Sequence, residues 1–95
     1  MKVTRHLRIT GRVQGVGYRY ALAAEAQAEG INGWVRNRRD GTVEAVVQGD
    51  PQAVARIIDW AKRGPPAARV TEVDNRAAQG ELDRSYSGFE QLPTA

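Results

Sequence analysis

Residues 11–19 have the sequence Gly-Arg-Val-Gln-Gly-Val-Gly-Tyr-Arg, with three glycines in the first seven positions. Leu7 and Ile9 alternate with polar residues before this stretch, as in a strand with one buried face, and an alanine-rich run after it predicts a helix. The glycine-rich stretch is therefore predicted to be a loop from a strand into a helix. The first N–H groups of a helix are unpaired and lie at the positive end of its dipole, so such a loop suits an anion.

Two further features of the loop point to a phosphoryl group. Glycines permit the positive φ values that gather backbone N–H groups into a concave nest. Arg19, at the predicted start of a helix over Arg19 to Glu29, adds a planar fork of donors that matches two phosphate oxygens. The predicted binding groups are the Arg19 guanidinium and the backbone amides of Gln14, Gly15, Val16, Gly17 and Tyr18.

The rest of the chain predicts the element order β, α, β, β, α, β with a short final strand. Alternating residues favour strands over 31–37 and 42–49, which an Asp40-Gly41 turn would join as a hairpin. Asp50 and Pro51 indicate the start of a second helix, which Gly64 ends. A strand is expected over 70–75, with Val70 and Val73 on opposite faces, then a polar loop over 79–87 and a short strand near Phe89.

This order favours an α+β sandwich: an antiparallel sheet in spatial order 4-1-3-2 with both helices on one face. The first and second strands would then run parallel, with the third between them. Asn37, at the end of the second strand, would lie about 10 Å from the glycine-rich loop, at the same sheet edge. A phosphoryl group could lie between them, and Asn37 could reach a water on the far side of the phosphorus.

Composition limits the alternatives. The 95 residues suffice for one domain, and the absence of cysteine excludes disulfides and thiolate chemistry and fits a reducing compartment. The carboxylates Asp40, Glu44, Asp50 and Asp59 lack a metal-ligand spacing and are interpreted as turn, cap and surface groups. We expect no metal, no cofactor and a cytoplasmic monomer with no membrane contact. The net charge of +3 favours an anionic ligand, which could be a phosphorylated metabolite or a nucleic acid.

Two stretches resemble the acylphosphatase family. Residues 11–19 are similar to its GxVQGVxFR signature, with Tyr18 in place of the usual phenylalanine, and residues 33–44 are similar to its second signature. The resemblance implies a ferredoxin-like fold over residues 1–95 and hydrolysis of the carboxyl–phosphate bond of acyl phosphates. It also implies that Arg19 is the phosphate-binding catalytic arginine and that Asn37 orients the attacking water. Gln91 stands where the family is typically apolar, which leaves the pairing of the last strand open.

Two other functions are compatible with this order of elements. RNA-recognition domains share it, but they stack bases on aromatic residues of the central strands, and residues 42–49 contain none. A non-catalytic phosphate-binding module would keep the fold without the reaction. The remaining conspicuous side chains are interpreted as structural: His6 and the arginines 36, 38 and 39 as solvated surface residues, and Trp34 and Trp60 as packing residues.

Overall fold

The computed structural model describes all 95 residues and contains five strands and two α-helices. The elements are β1 (Val3–Arg12), α1 (Tyr18–Ala28), β2 (Asn32–Asn37), β3 (Val43–Gly49), α2 (Pro51–Arg63), β4 (Arg69–Ala77) and β5 (Phe89–Gln91). A single 3₁₀ turn, Gly80–Leu82, interrupts the predicted polar loop. The predicted order is confirmed, and each helix lies within one residue of its predicted limits.

The strands form one sheet in the order β4-β1-β3-β2-β5. The predicted order 4-1-3-2 is therefore confirmed, with β3 antiparallel to both β1 and β2. The pairing of the last strand, which the sequence left open, is parallel: β5 pairs with β2 and makes the five-stranded sheet mixed. Gln91 lies opposite Val35 and its side chain is exposed, so a polar residue there removes no buried apolar contact.

An irregularity between β1 and β4 changes one predicted face. Thr10 pairs with Glu72 while the next residue, Gly11, pairs with Val70, so one residue of β4 bulges out of the ladder. The bulge shifts the alternation, and Val70 and Val73 both pack against the core, which contradicts their predicted opposite faces.

The core lies between the helices and one face of the sheet. Asp50 caps α2 by accepting a hydrogen bond from the Gln52 backbone N–H at 3.0 Å, as the sequence predicts. This helix buries one stripe of side chains against strands whose alternate residues point toward it. The largest fully buried side chains of this core are Tyr18, Leu7, Ile9, Leu22, Ile57, Val13, Val35, Val43, Val47 and Val54.

The other face of the sheet is not simply solvated. Gln48, expected to point outward, is buried because the segment 84–86 lies against this face and hydrogen-bonds to its side chain. Its Nε2 donates to the Thr4 hydroxyl at 2.8 Å and to the Arg84 carbonyl at 2.7 Å, and its Oε1 accepts from the Tyr86 N–H at 2.9 Å. A buried amide with its hydrogen-bonding groups satisfied pins the irregular segment to the sheet.

Tyr18 joins the start of α1 to the end of α2. Its side chain is 1% exposed, and its hydroxyl donates to the Ala61 carbonyl at 2.7 Å. Ala61 lies in the last turn of α2, where carbonyls have no partner within the helix, so the hydroxyl satisfies an otherwise unpaired acceptor. The ring also packs on Trp60, with 5.8 Å between centroids. The tyrosine hydroxyl thus has a structural role.

We predict that Tyr18→Phe lowers the free energy of unfolding by about 1–2 kcal/mol, because the Ala61 carbonyl loses its buried donor. Urea unfolding at neutral pH measures this change. Tyr20→Phe is the matched control, since Tyr20 is 75% exposed and its hydroxyl makes no hydrogen bond within the protein. Equal stability of wild type and Tyr18→Phe would contradict the prediction.

Burial also raises the pKa of Tyr18 above the usual tyrosine value of about 10. The native state therefore keeps this proton at a pH where the unfolded state has lost it, so stability falls as pH rises above about 10. The stability difference between Tyr18→Phe and wild type should shrink over that range.

Candidate active site

The glycine-rich loop supplies a run of unpaired backbone donors. Gly15 and Gly17 have φ values of 73° and 78°, and Gly17 is the N-cap of α1 without a side-chain cap. The N–H groups of residues 14–20 donate no hydrogen bond within the protein, and the first bond of the helix runs from Ala21 to the Gly17 carbonyl at 3.0 Å. These donors lie at the positive end of the helix dipole, where an anion is stabilised.

Arg19 lies in the first turn of α1, directly after this loop. Its side chain is half-buried, and none of the ion pairs in the structure includes it. A guanidinium without an internal carboxylate partner is free to bind an anion from outside, and its planar donors suit two oxygens of a phosphate.

Asn37 is the last residue of β2. Since β1 and β2 both run antiparallel to β3, their carboxyl ends lie at one edge of the sheet, so Asn37 and the loop share that edge. The Asn37 Oδ1 atom is buried and has no hydrogen-bond partner. Buried polar atoms are rarely unpaired, and one at a sheet edge beside a loop of unpaired amides is a candidate acceptor for a ligand or a water.

The side chain of Gln14 connects the loop to the β2–β3 hairpin. Its Nε2 donates to the carbonyls of Arg38 at 2.7 Å and Thr42 at 2.9 Å. Sequence reasoning assigned Gln14 only a main-chain role and missed this contact. The sequence did contain a signal for this contact, because Gln14 places a long amide side chain in a loop that otherwise functions through its main chain.

Glu44 lies at the centre of a charged cluster on the helix-free face, contrary to the expectation that it is a surface group. Its side chain is 7% exposed, and its Oε1 accepts from Arg36 Nε at 2.8 Å and Arg38 Nη1 at 3.4 Å. His6 Nε2 lies 2.6 Å from the other carboxylate oxygen. The interpretation of His6, Arg36 and Arg38 as solvated surface residues is therefore wrong, because this buried carboxylate orders all three. Arg39 is exposed as expected.

The pKa of Glu44 reflects two opposed effects. Burial raises the pKa, but hydrogen bonds from His6 and Arg36 outweigh it and hold the pKa below the usual glutamate value. In the turn that follows β2, Asp40 Oδ1 accepts from both the N–H and the hydroxyl of Thr42, and these hydrogen bonds lower the Asp40 pKa. The carboxylates of Glu44 and Asp40 thus both accept hydrogen bonds from neighbouring groups.

No group of three or more His, Cys, Asp or Glu side chains is arranged to hold a metal ion. Neither α-helix has the length and apolar character that crossing a membrane requires.

A βαββαβ sandwich with both helices on one face of its sheet is a ferredoxin-like α+β fold. Comparison with known proteins agrees with this class and narrows it. Residues 5–91 match the family model described as acylphosphatase. The chain is 56% identical over 88 residues to an acylphosphatase from Thiobacillus denitrificans, which covers 93% of this chain and 94% of that protein.

Solved structures show the same family. The chain superposes on an acylphosphatase from Coxiella burnetii with a TM-score of 0.87 and 31% identity, covering 96% of this chain and 93% of that one. For an acylphosphatase from Bacillus subtilis the TM-score is 0.86 with 32% identity, and the coverage is 97% and 99%. The chain belongs to the acylphosphatase family, whose members are hydrolases that act on acid anhydrides.

We predict that Glu44→Gln lowers the free energy of unfolding by about 1–3 kcal/mol, because it leaves the half-buried cations Arg36 and Arg38 without their anion and replaces the carboxylate oxygen that His6 contacts. The folded pKa of Glu44 is below the unfolded value of about 4.3, so its contribution is present above that value and lost as pH falls through the folded pKa. Urea unfolding between pH 3 and 7 should show a flatter acid limb for Glu44→Gln. Glu72→Gln, an exposed residue without an ion pair, is the control, and the prediction fails if both variants match.

Proposed function

We propose that this protein hydrolyses the carboxyl–phosphate bond of acyl phosphates, releasing a carboxylate and inorganic phosphate. The observation that carries the proposal is the unbroken run of unpaired amides over residues 14–20 around an unpaired Arg19, at the sheet edge that also holds Asn37. Membership of the acylphosphatase family supports it.

In this proposal the loop holds the transferred phosphoryl group. The amides of residues 14–18 bind its oxygens, and the Arg19 guanidinium neutralises their charge as it redistributes in the transition state. The side chains of Val16 and Gly17 matter mainly because they do not obstruct the main chain. The binding groups are fixed by the loop conformation before substrate arrives, so little reorganisation is needed.

Asn37 supplies the position of the nucleophile. Its unpartnered Oδ1 accepts a hydrogen bond from a water that lies opposite the leaving oxygen. The water oxygen bonds to phosphorus as the bond to the acyl oxygen breaks, and that electron pair leaves on the carboxylate. A carboxylate is a weak base and needs no general acid, and the water proton passes to a phosphate oxygen. A neutral amide is therefore sufficient at this position.

The alternative of RNA binding lacks its usual surface here. Trp34, the aromatic residue of β2 on the helix-free face, is buried, and the Arg36 guanidinium lies 4.8 Å from its ring centroid. No open aromatic platform for base stacking results on the central strands. We also propose that the protein works in the cytoplasm as a monomer on a small-molecule substrate, because its cysteine-free composition fits a reducing compartment and one chain supplies every group of the proposed site.

We predict that the protein hydrolyses a simple aromatic acyl phosphate equally well with and without excess chelator, because no step uses a metal. Inorganic phosphate should inhibit competitively, since it occupies the same loop. The measurement is initial rate against substrate at several phosphate concentrations. Dependence on a divalent cation, or non-competitive inhibition, would contradict the proposed site.

Two substitutions separate binding from turnover. Arg19→Ala should abolish both turnover and phosphate binding, because the loop loses its cation. Asn37→Ala should reduce kcat by roughly 100-fold or more while the phosphate inhibition constant stays nearly unchanged, because only the position of the water is lost. Arg39→Ala, at an exposed arginine of the hairpin, is the control and should keep wild-type kcat. Full turnover by Asn37→Ala would remove Asn37 from the mechanism.

A further inference from the structure

We propose that the Gln14 side chain is a positioning residue that fixes the phosphate-binding loop relative to Asn37. This inference rests on the proposed function and assigns Gln14 a role distinct from that of its backbone amide. The amide nitrogen of the side chain donates to the Arg38 and Thr42 carbonyls at 2.7 and 2.9 Å, so both of its hydrogens are used.

The loop depends on the Gln14 contacts for its orientation because it makes few other hydrogen bonds. Its N–H groups make no internal hydrogen bond, and its glycines at 15 and 17 have no Cβ to restrict the backbone. The Gly17 carbonyl bonds forward into α1, and Val13 and Val16 pack on the core. Gln14 provides the hydrogen bonds that join residues 13–17 to the hairpin carrying Asn37.

The point of attachment is a rigid one. Arg38 directly follows Asn37, and its N–H donates to the Thr42 carbonyl at 2.8 Å, which closes a turn. The Gln14 side chain donates to the carbonyls at both ends of that turn. Asp40 fastens the same turn through two hydrogen bonds to Thr42, and the Arg38 guanidinium contacts the buried Glu44. Movement of the loop against Asn37 must therefore break the Gln14 contacts.

The chemistry requires this alignment more than phosphate binding does. The loop and Arg19 can bind a phosphate whatever their position relative to Asn37. Attack on the phosphorus, however, requires the phosphorus to be in line with the water that Asn37 holds. A misplacement of about 1 Å can cost about 100-fold in rate. Loss of the Gln14 contacts should therefore reduce kcat far more than it weakens phosphate binding.

Gln14→Glu tests the role of the two donated hydrogens with the same side-chain shape. Above its carboxyl pKa the variant cannot donate and repels the two carbonyls, and we expect kcat to fall roughly 10- to 100-fold with at most a several-fold rise in the phosphate inhibition constant. Below that pKa the neutral carboxyl donates one hydrogen, so the ratio of variant to wild-type kcat should rise as pH falls toward 4. A merely structural role would not produce this recovery.

Gln14→Met removes both donors without adding charge and keeps the inference testable if the glutamate variant does not fold. It should lose kcat at every pH, and in an Asn37→Ala background it should cost little more, since both changes affect the same alignment. Gln79→Glu, at an exposed glutamine of the polar loop, controls for the added charge and should behave as wild type.

The two proposals fail differently. Wild-type protein without acylphosphatase activity would overturn the proposed function and this inference together. Active wild type with unchanged kcat in Gln14→Met, or a pH-independent ratio for Gln14→Glu, would overturn the role of Gln14 alone.

Discussion

The antiparallel pairing of β1 and β2 with the strand between them is the constraint on which the site depends. Because β3 runs opposite to both neighbours, the two outer strands must end at the same edge of the sheet. The loop after β1 and Asn37 at the end of β2 are thereby brought together, although 17 residues, 20–36, separate Arg19 from Asn37 in the chain. Parallel strands need a crossover, and α1 is that crossover. The helix that closes the topology also supplies the unpaired amides.

The charge available to a ligand at this edge of the sheet depends on which partners the carboxylates of the hairpin have. Glu44 is enclosed by His6, Arg36 and Arg38, and Asp40 is occupied by Thr42 and Arg8. A carboxylate left free beside the loop would pair with Arg19 and compete with any incoming anion. Glu44 and Asp40 have other partners, and none of the ion pairs in the structure includes Arg19. The charged cluster around Glu44 therefore stabilises the sheet, and the Arg19 guanidinium has no internal anionic partner.

Local patterns predicted the features that arise from short stretches of sequence. The glycine-rich loop, the Asp50 cap and the alternation of β3 depend on neighbours along the chain, and the order of elements then allowed few sheet topologies. The bulge of β4 was not predictable, because it depends on how Gly11 meets the opposite strand. Glu44 and Gln48 alternate as outward residues should, and only their tertiary partners bury them. The Gln14 contacts likewise connect residues 24 and 28 positions apart.

The groups proposed for catalysis, a guanidinium, a carboxamide and peptide nitrogens, hold one charge state across the range in which most enzymes work. Glu44 and Tyr18, whose pKa values are shifted, belong instead to the charged cluster around Glu44 and to the junction of the two helices. We therefore expect the acid and alkaline limits of the protein's stability to depend on such framework residues. A lineage adapting to a more acidic or more alkaline habitat could shift those limits by altering the framework while leaving its reaction centre untouched.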